Sequence, residues 1–170
     1  VSWHAKLMAL KFMCYIDPNT HQLYGLMSDA IDAIVYATDK NASVMNNSWH
    51  VAGSPPYLAD LSNAIRRANC ESSPTFLPSP GCLPALFVAA AGNADGRSPT
   101  LNNDVQPAYP ANFPINNVIS VAATDKQDQL WADSRWGPNS VHIAAPGVAI
   151  ESTYLRNEWG GLSITDGTSM

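Results

Sequence analysis

Ser169 stands in Gly167-Thr168-Ser169-Met170, directly after the turn-like Thr165-Asp166-Gly167. That pattern predicts the start of a helix, with a hydroxyl at the point where backbone N–H groups have no partner. A serine held there can attack a carbonyl while the free N–H groups and the helix dipole stabilise the oxyanion that develops. Taken alone, the same residues also read as an ordinary N-cap. A second group, Asn47-Ser48-Trp49-His50, follows the short apolar stretch 42–46. If that stretch is a strand of a parallel sheet, it delivers these side chains to the carboxyl edge, where ligands bind in open α/β sheets.

Composition limits what else the chain can be. At 170 residues and 46% hydrophobic, it is long enough to bury one core, and one domain or most of one is expected. The formal charge of -5 comes from scattered residues, which argues against a nucleic-acid surface. The longest clear apolar run, 83–91, is far too short to span a membrane. No G-x-G-x-x-G or P-loop spacing is present, which removes a dinucleotide-binding α/β protein from consideration. The first residue is Val1 and the last four read as a helix start. A segment cut from a longer chain is therefore expected, and the lack of a signal peptide carries no information about secretion.

The elements that must position these side chains alternate between short apolar runs and helical patterns, as in β-α-β units around a parallel sheet. Residues 6–12 predict a buried strand and 14–24 a turn-rich surface loop. Ser28 and Asp29 open a helix with Ile31, Ile34, Val35 and Thr38 on one face, ending near Lys40-Asn41. A strand over 42–46 and a helix over 57–69 follow, the latter with Leu58, Leu61, Ala64, Ile65 and Ala68 on one side and Arg66-Arg67 exposed near its end. The Pro- and Ser-rich residues 70–82 form a loop. Residues 85–91 predict a strand buried on both faces that ends at Gly92-Asn93. Further strands are expected at 118–123, 141–147 and 148–153, before a Gly160-Gly161 turn.

Six pieces of this chain resemble, in order and spacing, the subtilisin-like serine proteases (subtilases, peptidase S8). They are Asn46-Asn47-Ser48-Trp49, Ala89-Ala90-Ala91-Gly92-Asn93, Tyr109-Pro110-Ala111, residues 118–123, Ala145-Pro146-Gly147 and Gly167-Thr168-Ser169-Met170. The resemblance runs from about Val1 to the end, with an insertion at about 70–82. It implies an α/β fold: a doubly wound, mostly parallel sheet with helices on both faces, truncated at both ends. Residues 1–170 would then be the middle and late part of one catalytic domain.

The chemistry implied by the resemblance is peptide-bond hydrolysis through an acyl-enzyme on Ser169. Asn93 matches the family's side-chain oxyanion donor. Its setting makes physical sense, because Gly92 lets substrate approach and an amide N–H2 can point at developing charge. Ser48 and Trp49, facing Ala90, Ala91 and Gly92, resemble the walls that receive the substrate side chain before the cut. His50 stands where the family usually has Gly, so it is expected to affect how substrate lies along this edge. The implied partner is a peptide or protein substrate, with no nucleic acid and no membrane; secretion and a pro-segment in the parent protein belong to the same resemblance. A non-catalytic, peptide-binding module of the same fold is the competing class.

The family's base is a His in a His-Gly-Thr-His-type helix, and its orienting Asp lies on an earlier strand. Neither context is present: His4, His21, His50 and His142 lie in no such motif. The segment is therefore expected to be inactive alone. Tyr109-Pro110-Ala111-Asn112-Phe113 resembles a place where some relatives bind a cation through carbonyls, which would suit calcium; a plain Pro-shaped loop is the other reading, and no cofactor is required. Of the three cysteines, Cys14 is expected as a free, partly buried thiol. Cys70 and Cys82 flank one loop and could pair if the parent is secreted.

Overall fold

The apolar runs at 85–91, 118–123 and 141–147 become neighbouring strands of one sheet, and the candidate catalytic residues follow from where those strands end. The computed structural model describes residues 4–16, 18, 23–52, 56–72, 77, 81–94, 100–154 and 161–170. His21, Val1, the Gly160 half of the expected turn and much of the 70–82 loop lie outside the described residues. The described chain forms two compact units, residues 1–45 with 56–85, and residues 46–55 with 86–170.

The first unit is built on two helices. Helix α1 (Met27–Asp39) buries Ala30, Ile34 and Ala37, an i, i+4, i+7 stripe that packs on helix α2 (Leu58–Ala68). The sequence places the apolar face on Ile31, Ile34, Val35 and Thr38; the buried stripe is rotated toward the alanines, whose small side chains allow close helix approach. Helix α2 buries Leu61, Ala64, Ile65 and Ala68, as its periodicity predicts. Its basic last turn is paired, Arg66 with Glu71 at 2.7 Å and Arg67 with Asp39 at 2.6 Å. Cys70 and Cys82 are joined by a disulfide, which closes the Pro/Ser-rich loop directly after α2.

Three expectations fail in this unit. Residues 6–12 form no strand, and Leu7 is 97% exposed. The pairing lies instead in the stretch whose composition reads as a loop: strand β1 (Met13–Ile16) and strand β2 (Leu23–Gly25) form an antiparallel hairpin. The cross-strand pair Tyr15 and Tyr24, with ring centroids 5.5 Å apart, supplies side-chain contact across the hairpin. Cys14 falls at the irregularity in this hairpin and is exposed, not partly buried.

The four-stranded sheet has the order β3 (Val44–Asn47), β5 (Leu86–Ala90), β7 (Val118–Thr124), β8 (Ile143–Pro146). Within the second unit β5 and β7 pair in parallel, with Phe87 opposite Val118 and Ala90 opposite Val121, and β7 and β8 continue in parallel. Phe87, Ala89 and Ala91 are fully buried, and Ala122 and Ala123 nearly so. Leu86 and Val88 keep some exposure, so β5 is not buried on both faces as its sequence suggests. The short strands β4 (Val51–Ala52) and β6 (Ala108–Tyr109) pair antiparallel. Strand β9 (Ile150–Tyr154) pairs antiparallel with β10 (Gly161–Thr165), an element that sequence reasoning misses because Leu162 and Ile164 alternate with polar residues and remain exposed. The β10 strand leads directly into Asp166 and the Ser169 segment. Among the described residues no helix is long and apolar enough to cross a membrane.

Candidate active site

Strand β5 runs out in a sequence that leaves no room for ordinary side chains. Ala91 N–H still reaches Val121 C=O at 2.8 Å, and Gly92 then turns the chain with φ +104°. A Cβ at Gly92 would stand 2.6 Å from Arg135 Cδ and 3.1 Å from His50 Cδ2. Both the backbone angle and the crowding demand glycine. The next residue, Asn93, is held by an isolated antiparallel bridge to Ser134.

The Asn93 amide is oriented by the residue just before the candidate nucleophile. Its Oδ1 accepts from Thr168 Oγ1 at 2.8 Å and from Thr168 N–H at 3.0 Å. The same Thr168 hydroxyl accepts from Gly92 N–H at 3.2 Å. With Oδ1 engaged by two donors, Nδ2 is the end available to a third partner. A Cβ at Gly167 would lie 3.3 Å from that Nδ2, so glycine at 167 leaves the amide its space.

Ser169 is exposed, and its hydroxyl donates to Ser48 C=O at 3.2 Å while Ser48 Oγ donates to Ser169 C=O at 3.2 Å. This reciprocal pair ties the end of β3 to the Ser169 turn. Ser48, Ala90, Gly147, Thr168 and Ser169 help to line a cavity of about 160 Å3. The structure thus brings Ser169, Ser48 and Ala90 to one cavity; Asn93 does not line it and is joined to it through Thr168. Trp49, His50, Ala91 and Gly92 do not line that cavity. Ala91 and Gly92 are buried, and the Trp49 indole N–H donates to Asn47 Oδ1 at 3.2 Å.

The helix predicted to begin at Ser169 is a single turn in which Met170 N–H donates to Gly167 C=O at 3.2 Å. Among the described histidines, His4 and His142 are exposed, and His142 Nδ1 accepts from Ser120 N–H at 2.9 Å. The imidazole of His50 packs toward Gly92, and the Ser169 hydroxyl meets a carbonyl, not a ring nitrogen. In the 109–113 loop, Pro110 C=O accepts from Phe113 N–H and Phe113 C=O from Ile115 N–H, and none of its residues is acidic.

Sequence reasoning misses Thr168 and the buried pair Asn103 and Arg135. The signal for Thr168 is a hydroxyl adjacent to Ser169, whereas nothing in the sequence distinguishes Arg135 from a surface charge.

The family model described as the Subtilase family (Peptidase S8) matches residues 1–170; this chain belongs to that family. It is 37% identical over 146 residues to a thermophilic serine proteinase of Bacillus sp. (strain AK1), covering 86% of this chain and 29% of that protein. It is 33% identical over 147 residues to subtilisin-like protease 2 of Plasmodium falciparum (isolate 3D7), covering 86% of this chain and 10% of that one. Among solved structures, the prenylagaramide maturation protease PagA superposes with a TM-score of 0.64 at 25% identity, over 87% of this chain and 46% of that one. The chain has the α/β subtilisin-like fold, and it spans less than half the length of each of these relatives.

Proposed function

We propose that this chain supplies the nucleophile and the side-chain oxyanion donor of a serine endopeptidase. Ser169 Oγ attacks the scissile carbonyl, the carbonyl oxygen becomes an oxyanion that receives Asn93 Nδ2, and collapse expels the amine to leave an acyl-enzyme that water hydrolyses. Ser48 and Ala90 flank the space for the substrate side chain before the cut, with Trp49, His50, Ala91 and Gly92 shaping the same edge from behind. The observation that carries this reading is the double hydrogen bond from Thr168 to Asn93 Oδ1. It couples the amide to the residue beside Ser169 and leaves Nδ2 to donate.

The proton on Ser169 needs a base. No histidine of these 170 residues lies in the family's base motif, so base and orienting Asp are assigned to the rest of the protein, and the 170 residues alone to an inactive state. Acyl transfer to serine needs no cofactor, and none is assigned. The substrate is a peptide or protein chain. The Cys70–Cys82 disulfide favours an oxidising, extracellular setting, where a pro-segment would accompany folding. The competing reading, a peptide-binding module without catalysis, has no need for an amide oriented beside a serine. Peptide cleavage by the full-length protein tests the proposal: Ser169→Ala should abolish turnover while leaving peptide binding. Unchanged turnover in that variant, or binding without cleavage by the wild type, would overturn it.

A further inference from the structure

Behind the end of β5 lies a polar pair with no contact to solvent. Arg135 and Asn103 are both 0% exposed. A guanidinium and a carboxamide are costly to bury unless their polar atoms are engaged, and here the engagement points at the strand that presents Asn93. Arg135 Nε donates to Asn103 Oδ1 at 2.7 Å, and Asn103 Nδ2 donates to Ala91 C=O at 3.0 Å. Arg135 N–H donates to Gly92 C=O at 2.8 Å, and Arg135 Nη2 donates to Gln106 C=O. The two carbonyls immediately before Asn93 are therefore both held by this pair.

The aliphatic part of Arg135 adds a steric restraint, since its Cδ would stand 2.6 Å from any Cβ at Gly92. The pair is itself anchored to the sheet: Ala123 N–H on β7 donates to Ser134 Oγ at 3.0 Å, and that hydroxyl donates to Arg135 C=O at 3.0 Å. Thr168 holds the Asn93 side chain; Asn103 and Arg135 hold the peptide units on which that side chain is mounted.

We infer that Arg135 and Asn103 are positioning residues for the oxyanion donor, acting on the reaction through Asn93 without touching substrate. The inference rests on the reading of Asn93 and Ser169 given above. A donor displaced by about an ångström loses up to roughly 100-fold in rate, and the loss falls on kcat because the bond forms mainly in the transition state.

The experiment is a double-mutant cycle in the full-length protein, with steady-state peptide hydrolysis as readout. Arg135→Met keeps the backbone N–H bond to Gly92 C=O and removes the Nε bond that sets Asn103 against Ala91 C=O; it should lower kcat by about 10- to 100-fold with KM nearly unchanged. In an Asn93→Ala background it should lower kcat by no more than about threefold further, because the group it positions is already gone. Asn103→Asp keeps the acceptor for Arg135 Nε and replaces the donor to Ala91 C=O with a carboxylate oxygen that repels it; it should behave the same way, and it decides the matter if Arg135→Met does not fold. A kcat unchanged in these variants, or a full multiplicative loss in the Asn93→Ala background, would overturn the inference. If Asn93→Ala itself leaves kcat intact, the reading of the site falls first, and the two failures are distinguishable.

Discussion

The hydroxyl of Thr168 donates to Asn93 Oδ1 at 2.8 Å across 75 residues of sequence, so the two halves of the proposed site are joined by a direct side-chain bond. Asn93→Ala in the full-length protein should lower kcat by about 10²–10³ with little change in KM, a range carried over from the side-chain oxyanion donor of subtilisin, a member of the same family. Thr168→Val keeps the backbone donor to Asn93 Oδ1 and removes both bonds of the hydroxyl, the one to Asn93 Oδ1 and the one from Gly92 N–H, so its loss should be about tenfold or more. An unchanged kcat in Asn93→Ala would mean that the amide serves another purpose.

His50 packs its ring toward Gly92, and the Ser169 hydroxyl donates to Ser48 C=O. Replacing it with Gly should change KM or sequence preference and leave kcat within about tenfold. A kcat loss of about 10⁴ would identify His50 as the base.

The disulfide between Cys70 and Cys82 spans 12 residues of sequence and closes a loop that follows α2. Replacing both cysteines with Ser should lower stability in urea unfolding by roughly 3 kcal/mol in the chain-entropy account. Mass spectrometry of the unreduced protein should find the bridge, and two free thiols there would contradict the structure.

Asp104 is the described carboxylate whose pKa clearly falls below its ordinary value, chiefly because the Ser140 hydroxyl donates to it and then because Asn139 does the same. A folded pKa below the unfolded one means that the contribution to stability is full above the ordinary Asp range and is lost as pH falls through the folded value. An NMR titration should place Asp104 below a free aspartate, and Ser140→Ala should move it back up. An Asp104 titration unchanged by Ser140→Ala would contradict the assigned cause.

The parts legible in sequence are those written as long, one-purpose patterns. Helix α2 and strands β5 and β7 announce themselves through continuous or periodic apolar residues, and Ser169 and Asn93 through the short motifs around them. The β1–β2 hairpin is hidden because its strands are three or four residues long and its turn residues dominate the pattern. Residues 6–12 mislead for the opposite reason, since apolar residues without a pairing edge make no strand. Asn103 and Arg135 are illegible because burial, not residue type, gives them their role, and burial depends on contacts 12 and 32 residues away along the chain.

In the proposed function Ser169 is an activated nucleophile only in the full-length protein, where a base can take its proton. Labelling with a fluorophosphonate probe, followed by peptide mapping, tests it most directly. The account predicts rapid, stoichiometric modification of Ser169 in the full-length protein and none at a comparable rate in the 170-residue chain. Labelling elsewhere or not at all in the full-length protein would contradict the nucleophile assignment, and rapid labelling of the 170 residues would show that they already hold their own base.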